Sequence, residues 1–239
     1  MTQQPGRSIR ATQALAFMAT AWLGMTGAHA FQVRPVRVEL SARAPTAQVL
    51  VSNPGAHPVL LQAQTLHWAQ DERGERLEPD ADLIVNPPIF ELAPGAQQLV
   101  RVGLRRPLPP GRQRTWRLWL SQVALPADGG AGGVQMLLRV SLPVFGEGDG
   151  LGRPEPAWRL EPGGGALVLN NAGVRHLHVR TLRLLDEALA PLTLGPCYAL
   201  AGGRCRWALP AAWVGRALSL DADTDAGPWR GRVDAVPAD

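Results

Sequence analysis

The chain of 239 residues contains no lysine, so all 24 of its basic residues are arginine. Set against 20 acids they leave a formal charge of +4, and the isoelectric point near 10.3 reflects the guanidinium pKa rather than a strong field. No run of adjacent arginines exceeds Arg105-Arg106. A nucleic-acid surface needs a basic stripe, with aromatic platforms for single strands, so nucleic acid is not an expected partner. Aromatics amount to 5%, which also leaves little for a sugar-stacking platform. The six serines include none in G-x-S-x-G, and no nucleophile stands with an acid/base pair, so no catalytic site and no cofactor are expected. Helical periodicity is missing after residue 30. The 26 glycines and 22 prolines break the chain too often for a helical bundle.

What is present begins with an address. Arg7 and Arg10 precede an apolar stretch from Ala14 to Met25 and then Ala28-His29-Ala30. A positive start, a short apolar middle and an A-x-A site read as a secretory leader over residues 1–30, cleaved after Ala30. The stretch is too short for the roughly 20 residues of a membrane span, so no membrane insertion is expected. An exported compartment is oxidising, and the two cysteines, Cys197 and Cys205, flank Gly202-Gly203. A disulfide clasping a β-hairpin is the expectation, with a metal site or free thiols as the alternatives.

Beyond the leader, period-two apolar segments recur between turn residues: Val36–Leu40, Gln48–Val51, Val59–Trp68, Leu83–Val85, Gln97–Leu104, Thr115–Val123 and Val134–Phe145. Seven short strands in this span predict an immunoglobulin-type sandwich over residues 31–147. A Gly/Pro/acid-rich linker is expected over 148–156. A second, smaller β-sandwich is expected over 157–239, with strands at Ala166–Asn170, His176–Leu184, Tyr198–Leu200, Cys205–Leu209, Ala217–Leu220 and Trp229–Val233. The fold class is all-β.

Val134–Phe145 is too long for a self-sufficient sandwich. Val134, Met136, Leu138, Val140, Leu142 and Val144 share one face, well beyond the usual strand of about 5–6 residues. From pattern alone this is an ordinary buried core strand. The alternative is a strand kept for another chain by β-augmentation, because a long apolar edge is otherwise an aggregation hazard.

Four segments carry a resemblance: Arg34-Pro35-Val36-Arg37-Val38-Glu39-Leu40, Val51-Ser52-Asn53-Pro54-Gly55, Asn86-Pro87-Pro88-Ile89-Phe90-Glu91-Leu92-Ala93-Pro94-Gly95 with its continuation to Val102, and Arg139-Val140-Ser141-Leu142-Pro143-Val144-Phe145. On these the chain resembles a PapD-like periplasmic chaperone of chaperone–usher pilus assembly, of the archaic or spore-coat-U-type branch. The resemblance implies two immunoglobulin-like domains set as a boomerang, no catalysis, and donation of the long strand to a pilin or coat-type subunit lacking its final strand. It implies an outer-membrane usher as second partner, and self-association is possible for the free form. Val134, Met136, Leu138, Val140 and Leu142 become the donated face. The family grips the subunit's terminal carboxylate with an arginine, which falls on Arg37, and a lysine, for which this chain offers Ser141 with Arg139 one pleat away.

Other constellations are weaker. His176 and His178 share a strand face but lack a third ligand nearby, and Asp221, Asp223 and Asp225 lack the glycine and closing glutamate of a calcium loop, so no metal is expected. Trp116 and Trp119 fall on opposite faces of one strand. Rival readings are an exported structural or adhesive β-sandwich subunit and an exported enzyme.

Overall fold

The computed structural model describes residues 31–124 and 136–234; the expected leader and Val134 lie outside the described residues. Among the described residues there is no α-helix, as the period-two patterning implies. Ten strands form the first half: β1 (Gln32–Arg34), β2 (Val38–Ser41), β3 (Thr46–Ser52), β4 (Val59–Asp71), β5 (Gly74–Pro79), β6 (Leu83–Asn86), β7 (Ile89–Leu92), β8 (Gln97–Leu104), β9 (Gln113–Val123) and β10 (Arg139–Glu147). One sheet has the order β1-β3-β8-β6; the other runs β2-β10-β9-β4-β5, with β7 beside the start of β4. Alternate residues of the two sheets, among them Val38, Val49, Leu61, Val100, Trp116, Leu118 and Val144, meet in a shared core. Each such aliphatic side chain contributes about 1.5–3 kcal/mol through burial.

The first expected strand is divided. Pro35 offers no N–H to a ladder, and Val36 stands 71% exposed after it, so β1 pairs with β3 while β2 crosses to the other sheet and runs parallel to β10. In this half two strands went unexpected. β5 is mostly polar and forms because β4 continues to Asp71, where a turn brings the chain back as a hairpin. β7 is a four-residue strip that pairs with the first residues of β4.

The second half holds β11 (Pro156–Leu160), β12 (Ala166–Asn171), β13 (Leu177–Leu185), β14 (Leu192–Leu194), β15 (Cys197–Ala199), β16 (Arg204–Ala208), β17 (Leu218–Thr224) and β18 (Gly227–Val233). Its sheets run β11-β12-β16 and β14-β13-β17-β18, with β15 on β13. β11 starts at Pro156, inside the expected linker, and the Glu155 N–H bonds Asn171 Oδ1 at 3.0 Å. Cys197 and Cys205 form the expected disulfide. It does not clasp a hairpin, however: β15 and β16 belong to different sheets, so the bond ties the two layers together.

Each half also turns on a buried asparagine that satisfies several backbone groups at once. Asn53 Nδ2 donates to the His57 and Leu92 carbonyls and its Oδ1 accepts from Gly55 N–H. Asn171 Nδ2 donates to Arg175, Ala199 and Leu200 while its Oδ1 accepts from Gly173 N–H. The Asn-x-Gly spelling shared by both corners supplies the side chain and the turn that such accounting requires. A third small cluster, Trp68, Phe145 and Leu200, joins the two halves.

Candidate functional site

β10 pairs with β9 along its whole length, from Arg139 opposite Ser121 to Glu147 opposite Gln113. Its other edge is covered by β2 only from Val144 to Glu147. From Arg139 to Pro143 that edge has no strand partner among the described residues. The Gln122 N–H bonds the Leu138 carbonyl at 2.8 Å, which fixes the alternation: Val140, Leu142 and Val144 turn their backbone groups toward β9, and Arg139 and Ser141 turn theirs to the open edge. Pro143 sits where its missing N–H faces that edge rather than β9, the place where a strand tolerates proline.

The side chains divide in the same way. Leu142 and Val144 are buried in the core of the first half and Val140 packs partly against it. Met136 is 86% exposed, Leu137 46% and Leu138 38%. The expected donated face is thus neither wholly enclosed nor wholly free: Met136 and Leu138 stand out, Val140 is intermediate, Leu142 is committed to its own sandwich, and Val134 lies outside the described residues.

The opposite face of β10 enters the junction between the halves. Phe145 stacks on His176 with ring centroids 3.6 Å apart and planes within 5°, and lies 6.0 Å from Trp68 and 5.7 Å from Tyr198. His176 is buried; its Nδ1 lies 3.0 Å from Gln113 Oε1, which fixes that nitrogen as the donor. Its Nε2 is 3.3 Å from Asp225 Oδ2, at ion-pair distance but outside hydrogen-bond alignment. The neighbouring His178 stacks on Tyr198 at 3.9 Å, and burial pushes its pKa down. The two histidines therefore serve the junction, and among the described residues no group of three or more His, Cys, Asp or Glu gathers as a metal site requires.

Arg37, just ahead of β2, reaches this junction. It pairs with Glu39 and with Asp225 Oδ2 at 3.3 Å, and its guanidinium lies 5.9 Å from the Phe145 ring. Burial raises the Asp225 pKa, but the His176 and His178 contacts and the charge of Arg37 outweigh it and hold the carboxyl at about 2. The strand register does not bring Arg139 to Arg37. Val38 is level with Val144, so Arg37 is level with Pro143, and Arg139 begins about 13 Å further along the strand. Arg139 instead donates to Ser121 Oγ at 2.8 Å and lies 4.2 Å over the Trp119 ring, while Ser141 is exposed on the same face. Trp116, on the other face of β9, is fully buried.

Sequence reasoning passed over the cation that does share a row with Arg37. Arg117 on β9 lies opposite Pro143, its guanidinium 3.6 Å over Trp68 and 3.1 Å from Glu75. Tyr198 lies between the two arginines; burial raises its phenol pKa, against the pull of both guanidinium groups. The signal was the repeated R-x-W-R-x-W pattern of Arg114–Trp119, but only the strand register shows which arginine enters the row.

Comparison with known proteins places this architecture. Residues 30–151 match the model of the PapD N-terminal domain, described as a pili and flagellar-assembly chaperone. No curated protein sequence matches the chain. Among solved structures, it is similar to the chaperone–tip adhesion subunit complex CsuC–CsuE of the archaic Csu pili of Acinetobacter baumannii, at 19% identity, covering 88% of this chain and 100% of that one with a TM-score of 0.68. It is also similar to the Salmonella enterica SafA pilin–SafB chaperone complex, at 18% identity, 85% and 96% coverage and a TM-score of 0.62. The Pseudomonas aeruginosa CupB2 chaperone follows at 17% identity, 86% and 100% coverage and a TM-score of 0.58. These likenesses establish the fold.

Proposed function

The chain belongs to the PapD family of pili and flagellar-assembly chaperones, and from that membership together with the open edge of β10 we propose that it holds an incomplete β-sheet subunit by donating the stretch from Met136 to Ser141. The observation that carries the reading is the half-paired strand. A well-formed ladder on one edge of β10 presents unpaired N–H and C=O groups of Arg139 and Ser141 beside exposed apolar side chains. A subunit missing a strand needs both. Each ladder bond is worth about 0.5–1.5 kcal/mol net, and each buried Met or Leu about 1.5–3 kcal/mol.

The subunit's terminal carboxylate would meet Arg37, with Arg117 in the same row as the second cation rather than Arg139. A guanidinium suits this task because two parallel N–H groups fix a carboxylate's position and orientation. Asp225 and Glu39 hold Arg37 until then. Delivery to an outer-membrane usher and export by the leader over residues 1–30 complete the proposal. Among the described residues no helix is long and apolar enough to cross a membrane.

Co-expression with small exported subunits encoded beside the gene tests it. Met136→Asp and Leu138→Asp are expected to abolish co-purification of the subunit while leaving the thermal unfolding of the chaperone unchanged, since both side chains already face solvent. Loss of folding in either variant, or full capture by both, defeats the reading.

A further inference from the structure

The segment closed by the Cys197–Cys205 disulfide meets the first half of the molecule at Tyr198, Leu200, Gly203 and Arg204. Tyr198 packs its ring 5.5 Å from Trp68, and Leu200 joins the Trp68–Phe145 cluster. The backbone of the same two residues is engaged by one side chain. Gln70, at the end of β4, donates from Nε2 to the Tyr198 carbonyl at 2.7 Å and accepts at Oε1 from the Leu200 N–H at 2.9 Å. That is the pairing of a ladder rung, made by a side chain across two domains. Arg204 adds a bond from Nη2 to the Glu72 carbonyl at 2.6 Å.

Gly203 shows that the fit is specific. A Cβ on it would fall 2.2 Å from Gln70 Oε1. The turn Leu200–Gly203, closed by the Gly203 N–H on the Leu200 carbonyl, brings the backbone so close that only hydrogen leaves room for the amide. The turn places Gly202 at φ +69°, in the left-handed region that glycine favours.

From these contacts we infer that the disulfide-closed segment between β15 and β16 is a latch, that Gln70 is its positioning residue, and that together they set the angle between the two halves. The disulfide holds the ends of the segment on two different sheets of the second half, and Gln70 fixes its middle to the first. Tyr198 is thereby held between Arg37 and Arg117. The latch stands on these contacts alone; its consequence for capture rests on the strand-donation reading.

The test uses the leaderless full chain with spin labels at Gln97→Cys and Ala212→Cys, both exposed and one in each half. Electron–electron distance measurements should give one narrow distance in the parent. Gln70→Met keeps the length of the side chain and removes both bonds. Gly203→Ala displaces the amide from the other side. Each should replace the narrow distance with a broad spread while calorimetry shows both halves folded.

A second readout comes from the chain's single tyrosine, whose phenolate absorbance near 295 nm reports the junction alone. In both variants the ionisation of Tyr198 should move down from its raised position. An unchanged distance distribution and an unchanged Tyr198 titration in both variants would overturn the latch. If the distances broaden but no form of the chaperone captures a subunit, the latch stands and the donation reading is the one that falls.

Discussion

From Val144 onward β10 is paired on both edges, with Val144 in the core of the first half and Phe145 in the junction, and Leu142 just ahead of it is buried in the same core. At its N-terminal end it keeps a single partner, β9, and Met136, Leu137 and Leu138 face solvent. Met136, Leu138, Val140, Leu142 and Val144 keep an apolar residue at every second position across both ends. What changes is whether the sandwich still has a second sheet, and β2 a strand, to cover it. One strand can therefore be firmly held at one end and offered at the other, and its firm end is what makes the offered end worth having: a donated edge that was itself floppy would lose its binding energy to ordering.

The largest test of this contrast is truncation at the two ends. Leu142→Ala should cost about 2–5 kcal/mol of stability, because it leaves a cavity in a filled core. Met136→Ala and Leu138→Ala should change stability by no more than about 0.5 kcal/mol. Urea unfolding followed by tryptophan fluorescence measures all three, and equal losses at both ends would erase the distinction. A smaller effect concerns the junction that anchors the firm end. Asp225 titrates at about 2 when folded, below the ordinary value of 3.8, so its contribution is fully present above that ordinary value and is lost as pH falls through about 2. Asp225→Asn should lower stability by about 1 kcal/mol at neutral pH, allowing for solvent screening at a half-buried site, and the deficit should shrink below pH 4. A deficit of the same size at pH 2.5 and pH 7 would mean that the carboxylate's charge is not what matters.

Much of the fold was legible because period-two patterning and turn residues are local signals. Gln97–Leu104 is found as expected, and the all-β class, the disulfide and the opposite faces of Trp116 and Trp119 hold. The polar β5 and the three-residue β14 were not legible, since each forms by pairing with a neighbour rather than by its own apolar content. The site was half legible. The alternation marked the segment, but the strand expected over Val134–Phe145 is found as β10, Arg139–Glu147, nine residues against the thirteen of β4, and Arg37 showed through family resemblance. Gln70 and Arg117 did not show, because their meaning depends on register and on which residues of the other half come opposite, and no spacing along the chain encodes that. The same gap explains why Arg139 looked adjacent to the anchor: residues one pleat apart share a face, yet Arg37 lies level with Pro143, and only the parallel pairing of β2 with β10 reveals it.

The finest distinction within β10 lies in its individual amides. Val140 and Leu142 point their N–H groups at β9, whereas Arg139 and Ser141 point theirs at the open edge, and Pro143 has none to offer. In the free chaperone, hydrogen exchange read residue by residue should therefore alternate, slow at Val140 and Leu142 and fast at Arg139 and Ser141. Capture of a subunit should abolish the alternation by protecting Arg139 and Ser141 without altering the other two. Self-association of the free form through the same edge would protect those two amides as well, but in proportion to chaperone concentration, so a dilution series separates the two occupants. Fast exchange at all four positions would mean that β10 is not held against β9 at this end at all. The donated segment would then be a disordered arm that pays its ordering entropy on binding, not a preformed edge.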